Sequence, residues 1–204
     1  WAFDPRINRG VSDFDIPQNF VANFQYDIPT VEFAKNSAIG RTVLGGWQLG
    51  GILNLGSGHP FTPILGSDNA RVSTRSRGDH LRPDLRPGAD ANPVEGSSAG
   101  CGTNANPALN FPSQEVGTVK HYFDPCSFIL PNSGVAGVGI LGNLGRNTLI
   151  GPGRSTVNLS LVKNFTIREG HTLTYRMEWF NLFNRTNFGL PNRTVFSGTA
   201  YAGN

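Results

Sequence analysis

The chain has 204 residues, of which 38% are hydrophobic, beside 26 glycines and 14 prolines; so much turn-forming material argues against a compact helical or α/β domain. Its net charge of +3 rests on 17 basic residues, with Lys35, Lys120 and Lys163 the only lysines. That falls short of the dense basic face, interleaved with aromatics, that a nucleic-acid binder of this size carries, and no run approaches the roughly 18 apolar residues of a membrane helix, which leaves crossing by strands open.

In chain order, the first element is a strand near 18–28, where Phe20, Ala22, Phe24, Tyr26 and Ile28 alternate with Asn23, Gln25 and Asp27. The second lies near 45–56, with Trp47, Leu49, Leu53 and Leu55, and Gly51, on one face and Gln48, Gly50 and Asn54, with Ile52, on the other. A very long loop near 57–154 follows. The third strand, near 155–167, sets Val157, Leu159, Leu161, Phe165 and Ile167 against Asn158, Ser160, Asn164 and Thr166. The fourth, near 172–183, sets Leu173, Tyr175, Met177 and Trp179 against Thr172, Thr174, Arg176 and Glu178.

Each strand has about the 9–11 residues that cross a bilayer at a tilt, but a soluble sandwich alternates in the same way. The connections separate the two. Only Arg168 to His171 join the third and fourth strands, about eighteen residues join the first and second, and about a hundred lie between the second and third. A structureless loop of that length argues against a sandwich and suits a barrel with short periplasmic turns and long extracellular loops. The expected fold is therefore all-β: an antiparallel transmembrane β-barrel fragment of about four strands in two hairpins, with residues 66–120 poorly ordered.

Aromatic residues fall where girdles belong. Tyr26, Trp47, Phe165 and Tyr175 lie near the expected periplasmic ends, and Phe20, Phe61 and Phe183 near the outer ends. Lys163 stands on the lipid face and must either snorkel to the rim or mark a bulge.

In the long loop, Arg71, Arg75, Arg77, Arg82 and Arg86 face only Asp79 and Asp84. They read as a solvated loop, or as a surface for an anionic ligand or lipopolysaccharide phosphate, which arginine grips bidentately. Arg176 and Glu178 project to the lumen, where they could pair with each other, with a neighbouring strand or with a plug. Cys101 and Cys126 suit a disulfide closing about 25 residues, a constraint of roughly 3 kcal/mol.

Gly137, Gly139 and Gly142 spell GxGxxG but lack the flanking strand and helix of a nucleotide turn. His59, His80, His121 and His171 are scattered without chelating spacing, and no GxSxG elbow or catalytic cysteine signature occurs. Asn158, Asn164, Asn184 and Asn192 begin N-x-[ST] sequons, which small polar lumen residues explain equally well. No enzyme activity, cofactor or metal is expected.

Four segments carry a family resemblance: SDFDIPQNFVANFQYDIP at 12–29, GGWQLGGILNLGSGHPFTP at 45–63, LGNLGRNTLIGPGRSTVNLSLVKNFTI at 141–167 and LTYRMEWFNLFNRTNFGLPN at 173–192. In that order they resemble the C-terminal barrel of TonB-dependent receptors of the Oar-like kind, over nearly the whole chain. The resemblance implies the Gram-negative outer membrane, a barrel of about 22 strands around a plug, and energised passage of an unknown solute through the TonB complex. Oar-like receptors are also linked to export, which leaves the direction open. No signal peptide, plug or last strand ending in an aromatic residue is visible, so the chain is expected to be an incomplete part of that protein. A passive porin or structural barrel, and a soluble extracellular β-sandwich binding module, are the alternatives.

Overall fold

The computed structural model describes residues 9–67, 81–102, 110–132, 141–197 and, for the backbone, 200–201. The elements run β1 (Asn19–Ile28), α1 (Glu32–Lys35), α2 (Ala38–Leu44), β2 (Trp47–Gly56), β3 (Pro60–Phe61), β4 (Ile64–Leu65), β5 (Asp84–Leu85), β6 (Ser97–Ser98) and β7 (Gln114–Glu115). There follow β8 (Phe128–Ile129), β9 (Leu149–Ile150), β10 (Arg154–Arg168), β11 (His171–Trp179), β12 (Thr194–Ser197) and β13 (Ala200–Tyr201). The chain divides into two units: Pro17–Ser57 with Gly153–Phe188, and Trp1–Ile16 with Gly58–Pro152 and Gly189–Asn204.

The first unit is a four-stranded antiparallel sheet in the order β1-β2-β10-β11. The two hairpins anticipated from the alternation are present, and β2 also pairs with β10, from Arg154↔Gly56 to Lys163↔Trp47. Register aligns the apolar sets of all four strands. Phe24, Gly51, Leu159 and Trp179 form one row, and Tyr26, Leu49, Leu161 and Met177 form the next. A slip of one residue in any strand would throw its apolar set among polar neighbours, so the pattern itself fixes the pairing.

The fourth strand stops at Trp179, short of the expected 183. Asn181 and Asn184 take left-handed φ values of 49° and 47°, the Asn181 amide N–H donates to Asn158 Oδ1, and the Asn181 side chain bonds Arg185 at both N and O. An asparagine-built turn therefore interrupts the ladder. Between β1 and β2 lie two helices that strand periodicity did not indicate. Ser37 caps α2 by accepting from the Gly40 N–H, and Gly46, at φ 69°, turns the chain from helix into strand.

The second unit corrects the expectation of poor order over residues 66–120 for 66–67, 81–102 and 110–120, while 68–80 and 103–109 lie outside the described residues. Within its described part β5, β6 and β7 form, and Leu81, Phe111 and Val116 are buried. Short ladders pair β13-β12-β4, β3-β9, β5-β8 and β6-β7. They surround a cluster of Phe61, Leu65, Leu81, Phe123, Phe128, Leu144, Leu149, Val195 and Phe196. Phe123 packs edge-on against Phe128, with ring centroids 6.1 Å apart. Full burial of each such side chain contributes about 1.5–3 kcal/mol, enough to order a segment with little regular structure.

Polar groups stitch the same unit. Asn147, at φ 54°, donates its amide N–H to Thr62 Oγ1 and its Nδ2 to the Val11 carbonyl, joining stretches far apart in sequence. Asp84 Oδ1 accepts from the Asn143 N–H, and Asn143 Oδ1 accepts from the Leu85 N–H. Cys101 and Cys126 are bonded, with Cα atoms 5.6 Å apart.

Candidate functional site

The four-stranded sheet has two chemically opposite faces, and these faces are the functional feature. Alternation sends every second residue to one side. On the apolar side Phe20, Phe24, Tyr26, Leu173, Met177 and Trp179 are all between 38 and 57% exposed, so the described residues do not bury this face as a soluble core. Gly51 in the middle row is the seat of the Phe24 ring: a Cβ there would stand 2.4 Å from Phe24 Cε1 and 3.0 Å from Leu159 Cδ2.

One end of this face carries an aromatic cluster. Trp47 and Tyr175 meet edge to face at 6.0 Å, and Lys163 Nζ lies 5.4 Å from the Trp47 ring and 4.8 Å from that of Phe165. Lys163, only 2% exposed, also donates to the Gly45 carbonyl. It sits between Trp47 and Tyr175 in uninterrupted register, so no bulge turns it to the other side. Its cation is spent on π faces and a carbonyl at the rim, which is how a lysine is tolerated on an apolar surface. Tyr26 lies one row further in. Phe20 pairs with Leu55 at the opposite end, and Phe183 is 74% exposed beyond β11.

The opposite face is mainly polar, though Val21 and Ile52 also lie on it, and its polar side chains are tied to one another. Gln48 Nε2 donates to Asp27 Oδ1 at 2.8 Å, and Thr174 Oγ1 donates to Asn164 Oδ1 at 2.7 Å, each between register partners. Arg176 Nη2 meets Glu178 Oε1 at 2.6 Å. The pair is solvent-accessible, so it contributes about 0–1 kcal/mol and orients the charges more than it stabilises.

Two positions are corrected. Phe61 does not belong to an outer girdle: it is 4% exposed and packs on Tyr122 and Phe123 in the second unit's core. Arg82 does not hang in solvent but is 7% exposed, and desolvation, then the neighbouring Arg146, holds its pKa below the usual guanidinium value. Arg86 is exposed. Arg71, Arg75 and Arg77, like Gly137 and Gly139, lie outside the described residues. In the same unit burial, then Glu95, pushes the Tyr122 phenol up to about 12, and its hydroxyl donates to the Ile150 carbonyl.

Among the described residues no group of three or more His, Cys, Asp or Glu could hold a metal ion. No described helix is long and apolar enough to cross a membrane, which bears only on helices. Sequence reading missed the α1–α2 element, whose one local signal was Ser37 in a capping position before AIGRTVL. It also missed the second unit's core, for which apolar periodicity gives no signal.

No curated protein sequence and no solved structure matches the chain. A family model described as outer membrane beta barrel domain matches residues 2–204. An exposed apolar band ending in aromatics, backed by a polar face, is the surface that such a barrel turns to lipid and to its lumen. The chain therefore belongs to the outer membrane β-barrel domain family, and its place is the outer membrane of a Gram-negative bacterium.

Proposed function

We propose that the chain forms part of the barrel of a TonB-dependent receptor of the Oar-like kind, which passes a scarce solute across the outer membrane at the expense of inner-membrane energy. The observation that carries this reading is the long insertion between two neighbouring strands, β2 and β10, which holds a disulfide and most of a hydrophobic core that Val195 and Phe196 complete. A passive pore has little use for so elaborate an outer structure, whereas a receptor has to select its solute outside. The order of the four sequence segments supports the same family.

Among the described residues β1 and β11 each keep one edge without a ladder partner. Unpaired backbone is untenable in lipid, so further barrel strands complete the wall in this reading. Arg176 and Glu178, on the lumen side, are contacts for a plug, and the exposed Arg86 contacts an anionic group of the solute or of lipopolysaccharide. The chain carries out no catalytic step.

The test uses the full-length protein. Solute accumulation by cells producing it is measured with TonB present and deleted, beside flux through vesicles holding the purified protein. Accumulation that vanishes without TonB, with little passive flux, is expected. TonB-independent flux in both settings would make the protein a porin and overturn the receptor reading.

A further inference from the structure

A barrel connection at the end opposite the long loops is ordinarily a short turn. Here residues 29–46 instead fold into α1 and α2. The two are held together by buried Ala34, whose carbonyl accepts the Ser37 N–H, and by Arg41 Nη1 donating to the Lys35 carbonyl at 2.9 Å. Having built this element, the chain leaves its apolar side chains outside. Phe33 is 74% exposed, Ile39 76% and Val43 50%.

Ile39 and Val43 are one turn apart on α2, so they share a face, while Arg41 lies on the opposite side. The element is joined to the apolar face of the sheet. Trp47 Nε1 donates to the Val43 carbonyl at 2.9 Å, and Lys163 Nζ donates to the Gly45 carbonyl. Trp47 and Lys163 are both members of the rim row on the lipid side. Over residues 29–46 Lys35 Nζ meets Glu32 Oε1 at 2.5 Å and the two charges offset, so Arg41 leaves the segment one net positive charge.

We infer that α1–α2 is an in-plane membrane anchor: Phe33, Ile39 and Val43 lie in the acyl boundary of the periplasmic phospholipid leaflet, with Arg41 at the level of its phosphates. The lipid interface of the barrel thus extends past the strand ends onto the helices. An amphipathic segment with bulky apolar residues and a basic polar side is what such an interface binds. The girdle hydrogen bonds fix its depth. The inference needs only the barrel, not the receptor reading, and stands or falls separately from TonB dependence.

The test places an environment-sensitive nitrobenzoxadiazole probe on single cysteines in the full-length protein, folded into phosphatidylethanolamine/phosphatidylglycerol vesicles with Cys101 and Cys126 kept oxidised. Ile39→Cys and Phe33→Cys are compared with Ala38→Cys, an exposed position off the apolar face. The expected result is blue-shifted emission at 33 and 39, with quenching by phospholipid carrying a doxyl group high in its acyl chain at least about twofold stronger than at 38. Quenching by aqueous iodide at 33 and 39 would overturn the anchor. Shielding from both quenchers would overturn it too, and would assign the face to a protein occupant such as a plug or a second copy.

Discussion

A charge walked along β10 should report the depth and the side of each residue. Trp47 and Leu55 stand eight positions apart on β2, about 27 Å along the strand at ~3.4 Å per residue. At a tilt of about 40° that is roughly 21 Å along the membrane normal, close to the usual apolar band. Its midpoint is Gly51, whose row holds Leu159. Leu159→Arg therefore puts a cation near the midplane, at a cost of about 2–4 kcal/mol. Ser155→Arg, on the same face but about 10 Å nearer the outer rim, should cost about 0–1 kcal/mol. Ser160→Arg, one residue from Leu159 but on the polar face opposite Glu178, should be neutral within about 0.5 kcal/mol. The assay is reversible urea unfolding of the full-length protein in phospholipid vesicles, followed by tryptophan fluorescence. Equal losses at 159 and 160 would refute the two-faced assignment, and equal losses at 159 and 155 would refute the depth scale.

Three further outcomes follow from the same structure. Replacing both Cys101 and Cys126 by Ser should lower the second unit's stability by about 3 kcal/mol, read as faster proteolytic cleavage between them while the β10–β11 hairpin stays protected; unchanged cleavage would deny the bond its constraint. Lys163→Met removes a charge-assisted hydrogen bond and leaves the buried Gly45 carbonyl unpaired, so the urea midpoint should fall by the equivalent of about 1–2 kcal/mol, and a rise would contradict the rim role. Tyr122 is harder to ionise folded than unfolded, so its contribution is complete below about pH 10 and is lost as pH rises through about 12. With solvent screening discounted the loss is about 1 kcal/mol, and Tyr122→Phe should flatten that part of the pH–stability curve.

The sheet was legible because its information is local. A residue such as Leu159 announces its face through Asn158 and Ser160 beside it, and once four strands show the same period their register follows from matching faces. Where one strand ends is set by a single turn, so the turn at Asn181 ends a strand expected to run to about 183. The core of the second unit is built from residues as distant as Phe61, Phe128 and Phe196, with no period linking them. That is why Phe61 passed for a rim aromatic and Arg82 for a solvated loop residue. The helices α1 and α2 are too short, at 4 and 7 residues, for an amphipathic repeat to rise above the composition of a turn.

Gly56 and Arg154 are register partners, and the Ser57 N–H is held by the Gln18 carbonyl. The insertion thus begins and ends on neighbouring rungs of a ladder, a separation of about 5 Å, whatever lies between. Its stems are closed by the barrel itself, so lengthening or replacing the inserted sequence adds little entropic cost to the wall. The site is a natural socket: what is joined to these two rungs can change in length while the pairing of β2 with β10 stays constant. The same geometry makes it a point at which a foreign domain can be grafted.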